Sequence, residues 1–296
     1  MKTSSITKSL CHIISLSVMV AFACAVCMLS PSSGRAAVTS QTIAFFSKSL
    51  DRPTTYIAIL PDGYDDGTSY PVLYLLHGAT GGFRDWDTLA PIEADLAPYR
   101  MIVITPDGGQ FGWYLDSKIK PDSRYESFIT RDLIENVDSR FHTVADRSGR
   151  GIAGLSMGGH GALSLAAKHP ELFSSASSMS GIVKITNHPK SWHLPDILGP
   201  LEKNRAEWEA NSVYELANRF TTAGVALLFD CGNKDATGAT KDNAQLDERL
   251  KHLHITHLYH QYPGGHTWDY WRTHVPEHFA FHAKNFSEKA KLQKHP

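Results

Sequence analysis

Apolar positions along the chain fall into short runs separated by turn-forming segments, and the runs have two different periods. Thr42-Ile43-Ala44-Phe45-Phe46 and Thr54-Thr55-Tyr56-Ile57-Ala58-Ile59-Leu60 read as strands, the second stopped by Pro61-Asp62-Gly63. Only a short turn-rich stretch joins them, which predicts an antiparallel edge. Pro71-Val72-Leu73-Tyr74-Leu75-Leu76 and Met101-Ile102-Val103-Ile104-Thr105 show no alternation, the mark of strands covered on both faces. Val225-Ala226-Leu227-Leu228-Phe229 repeats that character, and Ile255-Thr256-His257-Leu258-Tyr259 does so less cleanly. Helical periodicity occupies residues 92–96, 126–137, 161–168, 244–253 and 270–286. Strands alternating with helices imply an α/β fold, a mostly parallel central sheet with helices on both faces. One stretch interrupts the alternation, residues 186–219, with Pro189, Trp192, Pro195, Pro200 and Trp208. An insertion of that size forms a cap or a pocket wall. The expected organisation is one domain over 38–296 carrying a small cap.

The first 37 residues have a different pattern. Lys2 and Lys8 precede an apolar run from Ile13 to Leu29, followed by Ser30-Pro31-Ser32-Ser33-Gly34-Arg35-Ala36-Ala37. Charge, apolar run and small residues in that order predict a signal peptide over 1–37, with Ser32 and Gly34 or Gly34 and Ala36 as the peptidase's small residues. A retained anchor is the alternative, and an exported protein without stable membrane association is the expectation. Of the 4 cysteines only Cys231 lies beyond this segment, so an exported form has no internal disulfide and rests on its core. Net charge is −1 with 20% charged residues, which offers no basic field for nucleic acid.

Against this background Gly151-Ile152-Ala153-Gly154-Leu155-Ser156-Met157-Gly158-Gly159-His160-Gly161 stands out. An apolar strand runs into G-x-S-x-G and then into a helical segment, so Ser156 sits at the apex of a sharp elbow. A serine nucleophile needs a base within hydrogen-bond reach and an acid to orient that base. Both follow in chain order. Asp230-Cys231-Gly232-Asn233-Lys234-Asp235 ends one predicted strand, and Pro263-Gly264-Gly265-His266-Thr267-Trp268 ends the next. His266 is singled out among 16 histidines by that position. Asp235 is preferred to Asp230, which still belongs to the strand end. The oxyanion needs amide donors: Met157 N–H follows the nucleophile, and Ala79 N–H, or a neighbour in His77-Gly78-Ala79-Thr80-Gly81-Gly82, supplies the second. Hydrolysis by such a set needs no cofactor. His252, His254, His257 and His260 do not converge on one face if the later ones lie on a strand, so no metal site is expected.

Four segments together resemble the esterase D-like branch of the α/β-hydrolases, with its tributyrin esterases, feruloyl esterases, S-formylglutathione hydrolases and mycolyltransferases. They are Tyr70-Pro71-Val72-Leu73-Tyr74-Leu75-Leu76-His77-Gly78, Gly154-Leu155-Ser156-Met157-Gly158-Gly159, Gly232-Asn233-Lys234-Asp235 and Gly264-Gly265-His266-Thr267-Trp268. The resemblance extends from about residue 42 to about residue 286 and implies an α/β-hydrolase fold with Ser156, Asp235 and His266 as its triad. It does not carry over an acyl pocket, because residues 186–219 are only loosely similar. The loop Pro106-Asp107-Gly108-Gly109-Gln110-Phe111-Gly112-Trp113-Tyr114 offers Trp113 and Tyr114 as substrate contacts, joined by Trp268, with Trp192 and Trp271 as further candidates. The expected function is that of an exported serine carboxylesterase acting on short-chain esters, or on acetyl or feruloyl esters of carbohydrate. An acyltransferase to a sugar alcohol, an acyl-thioester hydrolase and a non-catalytic carbohydrate-binding protein are the alternatives.

Overall fold

A computed structural model describes residues 38–64 and 67–294, so the segment expected to be a signal peptide, residues 1–37, lies outside the described residues. Among the described residues eight strands form one sheet: β1 (Thr39–Ser47), β2 (Arg52–Leu60), β3 (Val72–Leu76), β4 (Ile102–Pro106), β5 (Arg150–Leu155), β6 (Ser175–Met179), β7 (Ala226–Gly232) and β8 (Leu258–Tyr262). Their order is β1-β2-β4-β3-β5-β6-β7-β8. The β1–β2 and β2–β4 pairs are antiparallel, the expected edge, and every pairing from β4 to β8 is parallel. Among the described residues five helices of seven residues or more accompany the sheet: α1 (Ile134–Arg140), α2 (Met157–Lys168), α3 (Leu201–Glu209), α4 (Ala239–His252) and α5 (Trp268–Lys294).

Alternation along each buried strand sends side chains to two cores. Val72, Tyr74 and Leu76 of β3 join Ile102, Ile104 and Ile152 on one face, with Leu163 and Leu165 of α2. Leu73, Leu75, Val103 and Ala153 face the other way, onto Val275 and Phe279 of α5. Both faces exclude water, which is why these strands read as unbroken apolar runs.

The structure departs from the sequence pattern at three places. Strand β6, Ser175-Ala176-Ser177-Ser178-Met179, has too little apolar character to be read as a strand, yet it is buried along its whole length. Its hydroxyls explain this: Ser175 Oγ and Ser177 Oγ lie 2.7 and 2.9 Å from the two ring nitrogens of the buried His282 on α5. The edge strand β8 begins three residues later than expected, at Leu258. The helix expected over 126–137 contains a six-residue π-helical stretch, Phe128–Leu133, before α1. Residues 186–219 are a helical excursion between β6 and β7 that includes α3. Leu194, Trp208 and Val213 anchor it in the first core. No helix among the described residues is long and apolar enough to cross a membrane.

Candidate active site

The site lies at the carboxyl ends of β3, β5, β7 and β8, where the loops of a parallel sheet converge. At the end of β5, Ser156 adopts φ 53° and ψ −117°, a left-handed conformation that costs a non-glycine residue about 1–3 kcal/mol. The elbow is held by close packing that tolerates no side chain beside it. A Cβ on Gly154 would come within 2.5 Å of the Gly158 backbone, and one on Gly158 within 2.5 Å of Leu76 O. The strained turn therefore stands Ser156 between the start of α2 and the loop after β3.

Three loops then close on one oxygen. His266 Nε2 is 2.8 Å from Ser156 Oγ, and His266 Nδ1 is 2.7 Å from Asp235 Oδ2. Asp235 Oδ1 accepts from Thr237 N at 3.0 Å and from Thr237 Oγ1 at 2.5 Å. Burial alone would raise the Asp235 carboxyl, but the hydrogen bonds from His266 and Thr237 outweigh it and leave the group below its ordinary range. An ionised Asp235 only accepts, so Nδ1 of His266 carries a proton, and in the neutral ring Nε2 presents its lone pair to the serine hydroxyl. Asp230, the other carboxylate of that segment, does different work. It is fully buried in β7 and takes Tyr270 Oη and His278 Nε2 of α5, each at 2.6 Å. It braces α5, which begins two residues after His266.

The loop after β3 contributes backbone amides. Neither Ala79 N–H nor Met157 N–H has a hydrogen-bond acceptor among the described residues, and Ala79 borders the cavity above Ser156. Sequence reasoning passed over His77, whose ring organises this loop. Gly108 N–H donates to His77 Nε2 at 2.8 Å, which leaves the proton on Nδ1 to donate to Gly78 O at 2.7 Å. Burial lowers the His77 pKa and keeps the ring neutral. Only its place in a loop already singled out for donors hinted at it.

The cavity over Ser156 measures about 490 Å³ and is walled by Phe111, Trp192, Trp268 and Trp271, with Leu89 and Asp85 at its edge. Of the expected aromatic contacts, Trp268, Trp192 and Trp271 all line this cavity. Trp113 and Tyr114 are not. Both are 1% exposed and neither borders the cavity. Consecutive left-handed residues at 113 and 114 turn this loop inward. The Trp113 ring packs on His160 with centroids 5.4 Å apart, and Tyr114 Oη donates to His77 O at 3.0 Å. Phe111 is the member of this loop that reaches the cavity.

A mostly parallel sheet with a serine elbow at a central strand, and an acid and a histidine on later loops, defines an α/β-hydrolase. The chain belongs to the Esterase family, whose model matches residues 47–282. It is 34% identical over 238 residues to an esterase of Mycobacterium tuberculosis, covering 70% of this chain and 51% of that protein. The chain therefore spans about half the length of that relative. An acetyl esterase of Caldicellulosiruptor saccharolyticus is 29% identical over 262 residues, 82% of this chain and 97% of the other. Among solved structures a ferulic acid esterase superposes with a TM-score of 0.71 at 25% identity, covering 84% of this chain and 98% of its own.

Proposed function

We propose that this protein is an exported serine carboxylesterase that works through an acyl-enzyme. The observation that carries the reading is the continuous hydrogen-bonded line from Ser156 Oγ through the His266 ring to Asp235, at 2.8 and 2.7 Å. As Ser156 Oγ attacks the ester carbonyl, His266 Nε2 takes its proton, and Asp235 stabilises the imidazolium that forms. The carbonyl oxygen, now negative, lies against the Ala79 and Met157 amides, which have no other acceptor among the described residues. His266 then returns the proton to the departing alcohol, and water repeats the sequence to free the acid. No metal or cofactor enters these steps.

The substrate is a short acyl ester or an acetyl or feruloyl ester borne on carbohydrate. The aromatic walls of the cavity, together with the acetyl esterase and ferulic acid esterase relatives, support this reading. Export rests on Lys2, Lys8 and the apolar run that follows them. Replacing Ser156 by Ala, or His266 by Ala, is expected to lower kcat on 4-nitrophenyl acetate by on the order of 10⁶, with a smaller loss for Asp235→Asn. A fluorophosphonate should label wild type on Ser156 alone. Turnover that survives Ser156→Ala with the protein still folded would rule the mechanism out.

A further inference from the structure

We propose that the cavity over Ser156 continues into a furrow that binds the sugar units of a neutral glycan carrying the scissile ester. This rests on the esterase reading of Ser156 and extends it to the substrate beyond the reacting carbonyl. Three hollows share walls. Phe111 and Trp192 border the catalytic cavity and also a neighbouring hollow of about 510 Å³ that includes His193. Phe111, His193 and Asp196 in turn border a third hollow, of about 260 Å³, whose walls also include Arg52 and Lys120. A chain anchored by its ester at Ser156 can therefore run past the two rings toward those cations without leaving the furrow.

The rim is built rather than incidental. Trp192 and His193 both have left-handed backbones, φ 48° and 59°, and two adjacent strained residues persist only where surrounding contacts fix them. Those contacts are present. The buried Trp113 indole donates to Trp192 O at 3.0 Å, His193 Nδ1 meets Asp196 Oδ2 at 2.6 Å, and the His193 ring lies 4.4 Å from that of Phe111. Trp113 thus acts on substrate at one remove, by holding the turn that presents Trp192.

The lining chemistry selects the occupant. Arg52 and Lys120 are balanced by Asp122 and Asp196, so the far hollow favours neither a polyanion nor a polycation. Closely spaced donors and acceptors suit hydroxyls, which need both, and the rings of Phe111 and Trp192 suit the C–H face of a sugar. A long acyl chain would instead desolvate these charged side chains while offering them no hydrogen bond of its own.

The test compares kcat/KM for 4-nitrophenyl acetate with that for acetylated xylo- and gluco-oligosaccharides, from a single sugar upward. Wild type should gain on the order of tenfold or more with length until the furrow is filled. The double variant Lys120→Ala, Asp196→Ala should flatten that dependence. Rates that ignore glycan length while 4-nitrophenyl acetate still turns over would overturn the furrow and leave the esterase intact. A larger gain from lengthening a fatty acyl chain would overturn it too. Loss of 4-nitrophenyl acetate turnover defeats the esterase reading instead. Binding of unesterified oligosaccharide to Ser156→Ala, followed by tryptophan fluorescence, decides the furrow separately: a saturable change that weakens in Phe111→Ala supports it, and no change refutes it.

Discussion

In a trans peptide the carbonyl and the N–H face opposite ways, so a group that grips one aims the other. His77 Nδ1–H holds Gly78 O, and this directs the N–H of Ala79 away from the ring, toward the cavity. His77→Ala should therefore lower kcat by roughly 10- to 100-fold, short of the 10²–10³ of a deleted oxyanion donor. KM for a small ester should change less than kcat, and steady-state kinetics on 4-nitrophenyl acetate separates the two. An equal effect on KM alone would mean that the loop only shapes the entrance. At Asp235 the depressed carboxyl links the site to acid stability. A group whose folded pKa lies below its unfolded value contributes stability that is complete above the unfolded pKa, near 4, and disappears as pH falls through the folded one. The stability difference between wild type and Asp235→Asn should accordingly hold steady above about pH 5 and shrink below about pH 4. Denaturant titrations of both proteins across that range would show it.

At the scale of elements, the decisive packing is α2 against the end of β3. A Cβ on Gly158 would meet Leu76 O at 2.5 Å and His77 O at 2.6 Å, both backbone atoms that cannot swing aside. Gly158→Ala should cost about 1–3 kcal/mol of stability and should lower activity further by lifting the helix amides away from the loop that carries Ala79. Calorimetry and turnover should fall together. This elbow was legible in the sequence because its constraint is local: glycines on both sides of one serine, between an apolar strand and a helix. His266 and Asp235 were legible because each ends a predicted strand in a turn-rich segment. What escaped depends on partners remote in the chain. Nothing local in Ser175-Ala176-Ser177 announces a buried strand until His282, a hundred residues on, accepts its polar face. The inward turn at Trp113 and Tyr114 likewise follows from backbone conformation at two bulky residues, which residue type argues against. Aromatic character placed that loop near the site and left open which ring would line it.

For the whole molecule, buried histidines decide how the fold meets acid. The ring of His160 is enclosed between α2 and the helical excursion, donates from Nε2 to Asn211 O, and is lowered by burial to about 4. Burial holds His282 well below its ordinary value, and His77 is lowered for the same reason. In the unfolded chain all three take up protons near pH 6.5, whereas in the native state they stay neutral. Protons therefore bind preferentially to the unfolded chain, and stability present above pH 6.5 drains away as pH falls, for His160 down to about 4. Each such histidine contributes up to about 1.4 kcal/mol per pH unit within that window, so three give at most roughly 4 kcal/mol for each unit that the pH falls. That is a large fraction of the 5–15 kcal/mol by which domains of this kind are held together. The urea midpoint should fall steeply between pH 6.5 and 5, before the Asp235 effect begins. His160→Gln, which removes the titrating group, should reduce the slope by about one proton. A midpoint that stayed flat over this range would mean that these rings are protonated or hydrated in the native protein, against the enclosure described above.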